Sequence, residues 1–258
     1  SHRFRLPKRL VHGCRKRRKP RSLRAILFRL PLRGDIAKDE HHAEQRPSAV
    51  ANGRRRVIDG NFASVAAREH GVPGPTLEGY LYPATYTFPA GTDADGMVRA
   101  MVNRYKQSWT ADRQARADSL GLSEREVVTL ASIVEKEARH WGERDTIAAV
   151  YSNRLRIGMP LQADPTVQYA LGSHQSRLLY AHIDSVADHP YNTYRNRGLP
   201  PGPIASPSEG AIDASLNPVD VPYLYFVAQP DGRHIFTSSL AEHNAARRRI
   251  AAMRTTPE

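Results

Sequence analysis

Apolar residues in the middle of the chain recur at the spacing of one helix face. Between positions 123 and 138 this apolar stripe consists of Val127, Leu130, Ala131, Val134 and Ala138. Ser123 and Glu126 precede it at the spacing of a capping box, in which each residue accepts a hydrogen bond from the backbone amide of the other. The pattern predicts an amphipathic helix that begins just after Ser123 and buries one narrow face.

Similar patterns predict further helices on both sides of this one. A short helix over residues 62–69 is expected to end at Gly71, and Asp93 or Asp95 can cap a helix over residues 97–105. Other helices are predicted from about Arg144 to Arg156, from Asp164-Pro165 onwards and from Ser239 onwards.

Strand signals are few and short. Residues 82–88 alternate aromatic and small side chains, and residues 223–228 and 234–237 flank a Pro-Asp-Gly turn as a hairpin would. Residues 188–207 are rich in proline and glycine, and an ordered loop of this length in a compact domain usually serves function. The fold class that we predict is therefore α+β, a helix-rich domain with a small β-hairpin or sheet.

The charge is distributed unevenly along the chain. Residues 1–56 hold 18 Lys and Arg against 4 Asp and Glu, whereas the other residues hold 20 against 22. We therefore divide the chain into a basic tail over residues 1–56, expected to lack regular structure, and a catalytic domain over residues 57–254. A nucleic-acid partner would have to bind the tail, because the slightly acidic domain shows no motif that reads nucleic acid.

Other sequence signals exclude some classes of site. No apolar stretch approaches the roughly 20 residues that a membrane-spanning helix needs, and we find no readable export signal. Cys14 is the only cysteine, so an internal disulfide is impossible and no Cys/His zinc spacing exists. We expect no metal and no cofactor.

The candidate chemistry consists of polar residues in the middle and late chain. Glu135 and Glu137 are about 200° apart on a helix, each about 80° from the centre of the apolar stripe, so they cannot share a proton. Helical geometry alone does not choose between them, and the glutamate that is not catalytic is expected to be solvated. Each is also compatible with the ordinary polar edge of an amphipathic helix, as Asp164 is with a helix cap.

Several ordered segments give this chain a family resemblance. It resembles the endolytic murein transglycosylases of the MltG/YceG-like family over about residues 60–250. The segments that carry the resemblance are Leu-Glu-Gly-Tyr-Leu-Tyr-Pro (77–83), Ala-Ser-Ile-Val-Glu-Lys-Glu (131–137), residues 153–167 with Leu-Gln-Ala-Asp-Pro-Thr, Tyr-Asn-Thr-Tyr (191–194), Gly-Leu-Pro-Pro-Gly-Pro-Ile-Ala (198–205) and Tyr-Leu-Tyr-Phe-Val-Ala (223–228).

The resemblance implies that Glu135 is the catalytic acid–base residue and that Glu137 is not. It also implies cleavage of the MurNAc–GlcNAc bond without water, leaving a 1,6-anhydro end, a reaction that needs one carboxyl group where hydrolases usually need two. To start protonated near neutral pH, Glu135 would need a raised pKa, which burial against Val128, Ala131 and Ala138 would give. The residues expected to line the sugar groove are Gln162, Asp164, Thr166, Asn192, Thr193 and Tyr194.

The same resemblance implies peptidoglycan glycan strands as substrate, peptidoglycan synthases as partners, and a catalytic domain in the periplasm anchored to the inner membrane. Family members usually begin with a membrane-spanning helix and a LysM-like domain, and we read neither in residues 1–56. An out-of-frame translation, a wrong start or a fragment would each explain this. The alternative function is a catalytically impaired member that binds or scaffolds the wall.

Overall fold

The computed structural model describes residues 26–29 and 67–255. Short strands and helices alternate with ordered loops, and a 3-10 turn at Trp141–Glu143 joins two of the helices. In chain order the elements are β1 (Ile26–Arg29), β2 (Thr85–Phe88), α1 (Ala94–Ser108), α2 (Ala111–Ser119), α3 (Glu124–Glu137), α4 (Arg144–Arg156), α5 (Asp164–Leu171), α6 (Tyr180–Ser185), α7 (Glu209–Leu216), β3 (Tyr225–Ala228), β4 (His234–Thr237) and α8 (Leu240–Thr255).

Helix α3 forms the centre of the domain. Its predicted capping box is present, since Ser123 Oγ accepts from the Glu126 amide at 3.3 Å and Glu126 Oε2 accepts from the Ser123 amide at 2.8 Å. All eight residues from 127 to 134 are buried, including Thr129 and Ser132, because α7, α4 and α5 pack around the helix. The prediction of a single narrow buried face is therefore wrong, and α3 is a core helix.

The loop over residues 188–207 is fastened to this core. Ser132 Oγ donates to the Thr129 carbonyl at 2.7 Å and accepts from the Ile204 amide at 3.0 Å, so a buried hydroxyl ties the loop to α3. Gly79, with a φ of +90°, lies against Pro203, where an added Cβ would come within 2.5 Å of the proline ring. Only glycine fits at this contact between two of the sequence segments that carried the resemblance.

Two antiparallel strand pairs complete the fold. Strand β3 pairs with β4 from Tyr225 opposite Thr237 to Ala228 opposite His234, and α8 and α4 pack on this hairpin. Strand β1 pairs with β2, so the expectation of no regular structure over residues 1–56 is wrong at residues 26–29. The rest of that expectation lies outside the described residues.

Most of the predicted elements are confirmed. Helices α1, α3, α4, α5 and α8 and the hairpin lie where the sequence placed them, and Asp93 is the residue that caps α1. The predicted strand over residues 82–88 is shorter, and the short helices α2, α6 and α7 were not predicted. The helix-rich α+β class with a small antiparallel sheet is confirmed. Within the described ranges, every helix is too short or too polar to cross a lipid bilayer.

Candidate active site

The C-terminal turn of α3 carries the two glutamates, and their carboxyl groups contact different elements. Glu135 reaches Arg144 and Ser208, at the starts of α4 and α7, whereas Glu137 reaches Tyr151 inside α4. The predicted separation of the two carboxyl groups is confirmed, because they share no hydrogen-bond partner among the described residues.

Glu135 is held in a buried ion pair. Arg144 Nη2 donates to both carboxylate oxygens at 3.2 and 3.1 Å, and Ser208 donates to Oε2 from its hydroxyl at 2.7 Å and its amide at 3.3 Å. The side chains of Glu135 and Arg144 are only 4% and 8% exposed. The sequence predicted only apolar neighbours for Glu135, whereas the structure adds a guanidinium that compensates its charge and a serine, so that the carboxylate links α3, α4 and α7.

Glu137 has a different environment. Tyr151 Oη donates to its Oε1 at 2.8 Å, while Oε2 has no hydrogen-bond partner in the part of the chain that the structure describes. Burial raises the pKa of Glu137 to about 7, even though the Tyr151 hydrogen bond acts in the opposite direction. The charge of Asp164 raises this pKa further and Arg154 lowers it. Neither glutamate is exposed, so the expectation that one of the two is solvated is wrong.

Asp164 lies near enough to Glu137 for its charge to raise the pKa of Glu137, and the charge of Glu137 in turn raises the pKa of Tyr194. Tyr194 Oη donates to Asp164 Oδ1 at 2.5 Å, and burial together with the Asp164 charge raises the pKa of Tyr194. Asp164 is exposed at the start of α5, and Tyr194 is half-buried. These two predicted groove residues are therefore brought together with a carboxyl group that can carry a proton.

Gln162 is exposed two residues before Asp164. Its φ of 50° lies in the left-handed region, which a residue other than glycine rarely adopts, and its amide donates to the Thr193 carbonyl at 3.1 Å. A conformation of this kind costs free energy and tends to occur at functional sites. Gln162 is thus held at the surface close to Asp164, and its role in the groove stays a prediction.

The other three predicted groove residues are buried. Thr166, Asn192 and Thr193 are at most 1% exposed. Asn192 donates to the Ile183 and Val186 carbonyls, and the hydroxyls of Thr166 and Thr193 bond to each other at 2.8 Å. The prediction that they line the groove is corrected, because polar groups that are satisfied inside the protein cannot also bind a sugar. They fix the loop and the turn that present Tyr194, Gln162 and Asp164.

Three residues of this region were missed from the sequence. Arg144, Ser208 and Tyr151 are the partners of the two glutamates. Ser208 could have been found as an N-cap, because its hydroxyl accepts from the Ala211 amide and an apolar pattern follows. Nothing in the local pattern pairs Arg144 with Glu135. Across residues 67–253 no three His, Cys, Asp or Glu side chains converge as metal ligands.

The electrostatics of the site depend on a second arginine. Arg154 is buried in α4, and burial lowers its pKa. Its Nε donates to the Leu224 carbonyl at 2.7 Å and its Nη1 to the Leu161 carbonyl at 2.6 Å. The guanidinium therefore joins the hairpin to the turn before α5 and moderates the rise in the pKa of Glu137.

Comparisons with known proteins identify relatives of this chain. The chain is 42% identical over 175 residues to a Bacillus subtilis (strain 168) protein named endolytic murein transglycosylase, a match that covers 66% of this chain and 47% of that protein. A protein of the same name from Streptococcus pneumoniae serotype 2 (strain D39) is 37% identical over 172 residues, covering 65% of this chain and 31% of that one. The chain thus spans less than half the length of these two curated relatives.

A solved structure and a family profile both relate this chain to YceG-like proteins. The crystal structure of a YceG-like protein from Listeria monocytogenes superposes with a TM-score of 0.66 at 37% identity, covering 76% of this chain and 66% of that one. The profile of the YceG-like family matches residues 21–249, and so extends into the basic tail over residues 1–56. This match spans most of the sequence, and the chain belongs to the YceG-like family.

Proposed function

We propose that this chain is an endolytic lytic transglycosylase that cleaves MurNAc–GlcNAc bonds within peptidoglycan glycan strands and leaves 1,6-anhydroMurNAc ends. Cleavage of this kind within nascent strands would help to terminate their elongation. The names of the relatives support the substrate class, and the observation that carries the chemistry is Glu137, a carboxyl group with a pKa of about 7 beside Asp164 and Tyr194.

One carboxyl group of this kind is sufficient for a lytic cleavage. Protonated Glu137 donates its proton to the glycosidic oxygen, and the bond from this oxygen to C1 of MurNAc breaks. The 6-hydroxyl oxygen of the same sugar bonds to C1, and the Glu137 carboxylate takes up the hydroxyl proton. A pKa near the working pH suits both steps, because the acid and the base forms are then both populated. No water is consumed.

The neighbours of Glu137 can stabilise both charges that develop in this reaction, the negative charge on the carboxylate and the positive charge on the sugar. The Tyr151 hydroxyl stabilises the carboxylate that is left after proton donation. The Asp164 carboxylate, which Tyr194 orients, places negative charge where the cleaved sugar becomes oxocarbenium-like. Gln162 offers an amide to the hydroxyl and N-acetyl groups of the strand.

We propose Glu137 as the acid–base residue, although the resemblance predicts Glu135. Both oxygens of Glu135 are occupied by donors, and its charge is compensated by Arg144. A carboxylate whose two oxygens already accept hydrogen bonds inside the protein offers neither oxygen to a sugar. Glu137 has one oxygen without a partner among the described residues and the pKa that the task requires. The assignment to Glu135 stays a prediction, which the same substitution at both glutamates tests.

The products of the reaction test the proposed function. Purified glycan strands are incubated with the protein in water labelled with 18O, and the new ends are analysed by mass spectrometry. The proposal predicts anhydroMurNAc ends without 18O. Reducing MurNAc ends that carry 18O would contradict it and indicate hydrolysis, with Asp164 as the second carboxylate. Bound but uncut strands would also contradict it and favour the wall-binding alternative.

We also propose the location and the partners that the resemblance implies. The catalytic domain would act on the periplasmic side of the bacterial inner membrane, close to the peptidoglycan synthases that supply nascent strands. Fractionation of cells that produce the untagged protein, followed by crosslinking, tests both points. Recovery in the cytosolic fraction, or crosslinks that lack any synthase, would contradict them.

A further inference from the structure

Trp141 lies almost fully in solvent, directly after the helix that carries Glu137. Its side chain is 80% exposed, in the 3-10 turn between α3 and α4. A single exposed apolar side chain needs no special explanation on a protein surface. Trp141 is distinguished by a cation–π contact on one face of its ring. The Arg144 guanidinium carbon lies 4.8 Å from the ring centroid.

The support under Trp141 is a buried network. Arg144 is 8% exposed and is bound through Nη2 to Glu135, which in turn accepts from Ser208. A planar guanidinium with a fixed partner can stack on an aromatic face in one orientation. One face of the indole therefore rests on the protein, and the exposure of the side chain leaves the opposite face to solvent.

The backbone around Trp141 is also held in place. His140 Nε2 lies 3.1 Å from the Asp231 carbonyl oxygen. Glu143 accepts from the His234 amide at 3.0 Å and lies 2.8 Å from His234 Nδ1. The residues on both sides of Trp141 are thus fastened to the β3–β4 hairpin. The exposed ring belongs to a fixed turn and little conformational entropy would be lost when a ligand binds it.

The position of the ring relates it to the proposed active site. Trp141 lies four positions after Glu137, so their Cα atoms are at most about 14 Å apart. A glycan strand bound at Glu137 continues for several sugars in both directions, because endolytic cleavage leaves sugars on each side of the bond. A strand that runs along the end of α3 therefore reaches the indole within a few sugars.

We propose that Trp141 is a sugar-stacking residue that binds one hexosamine ring of the glycan strand away from the cleaved bond. The C–H face of such a ring covers the free face of the indole, while its hydroxyl and N-acetyl groups stay in water. A large rigid aromatic with a polar edge is suited to this contact. This inference rests on the proposed function for its substrate class, and it gives the Ser208–Glu135–Arg144 network a role in positioning Trp141.

Binding of glycan strands to cleavage-silenced protein tests the inference. In a Glu137→Gln background, Trp141→Ala is expected to weaken the binding of strands that lack stem peptides about tenfold, which corresponds to about 1.4 kcal/mol. Trp141→Phe should retain most of the affinity. The matched control is Tyr180→Ala, since Tyr180 is 79% exposed on α6, and it should bind like its parent. Equal affinity of the Trp141→Ala and Tyr180→Ala variants would overturn the inference.

Tryptophan fluorescence gives a second and independent readout. The chain contains two tryptophans, so Trp141→Phe removes one emitter and leaves Trp109. In the Glu137→Gln background, strand binding is expected to protect the protein that keeps Trp141, but not the Trp141→Phe variant, from acrylamide quenching. Two outcomes separate this inference from the proposed function. If Trp141→Ala loses binding but the wild type cleaves no strand, the inference holds and the proposed function fails. If Trp141→Ala cleaves strands with an unchanged KM, or if strands bind only when they carry their stem peptides, the inference alone is overturned.

Discussion

Glu135 and Glu137 lie two residues apart at the end of α3, and the protein holds their carboxyl groups in different ways. Glu135 faces the start of α7 and meets a guanidinium and a serine, whereas Glu137 faces α4 and α5 and meets a tyrosine hydroxyl. The comparison teaches that burial alone does not make a carboxyl group catalytic. A buried carboxylate with a cation beside it stabilises the fold, and one without direct charge compensation becomes an acid that titrates near neutral pH.

The largest expected effect on stability comes from the Glu135 side. Glu135→Gln removes one charge of a buried ion pair and leaves Arg144 uncompensated, so the free energy of unfolding should fall by about 3–5 kcal/mol. Denaturant unfolding followed by circular dichroism measures it. Adding Arg144→Met should recover part of the loss, because the unpaired charge is then gone. A loss below about 1 kcal/mol would show that the pair is not structural.

The Glu137 side should make stability depend on pH. The pKa of Glu137 rises from 4.5 to about 7 on folding, so the folded state binds this proton more tightly. The resulting stabilisation, at most about 3 kcal/mol, is fully present below pH 4.5 and is lost as pH rises to about 7. The free energy of unfolding of wild type relative to Glu137→Gln should therefore fall over this window. A difference that stays constant with pH contradicts the raised pKa.

A smaller effect is expected from the hydroxyl that contacts Glu137. Tyr151→Phe removes a hydrogen bond that stabilises the carboxylate, so the pKa of Glu137 should rise further. The alkaline limb of the pH–rate profile should then move up by about one pH unit. Tyr105→Phe is the matched control, because Tyr105 donates to Glu124 at 2.6 Å away from the site. An alkaline limb that moves down, or that moves equally in both variants, would exclude Glu137 as the acid.

Local patterns were sufficient for the long helices and for α5, which begins with an Asp-Pro pair, and insufficient for the other short helices. The capping box and the apolar spacing predict helix α3, Gly158 follows the end of α4, and Pro165 lies in the first turn of α5. Helix α7 has only eight residues and follows a proline-rich loop, so its propensity signal is weak although it packs closely on α3. Its N-cap Ser208 became visible as a partner of Glu135 only in three dimensions.

The candidate site could be located from the sequence but not resolved. Helical periodicity separated Glu135 from Glu137, yet their partners Arg144, Tyr151 and Ser208 come from other elements, so the sequence carried no sign of which carboxyl group is compensated. The predicted groove residues fall into a buried set and an accessible set, which the sequence could not separate for the same reason. Alternation along a loop does not reveal that Thr193 is buried while its neighbour Tyr194 is half-exposed beside Asp164.

The most direct test of the account compares the same substitution at the two glutamates. Glu137→Gln and Glu135→Gln are each shown to be folded by circular dichroism, and the release of anhydroMurNAc ends from glycan strands is measured for both. The account predicts that Glu137→Gln lowers kcat by about 100- to 10,000-fold, whereas folded Glu135→Gln stays within about tenfold of wild type. A folded Glu135→Gln without activity, beside an active Glu137→Gln, would contradict it.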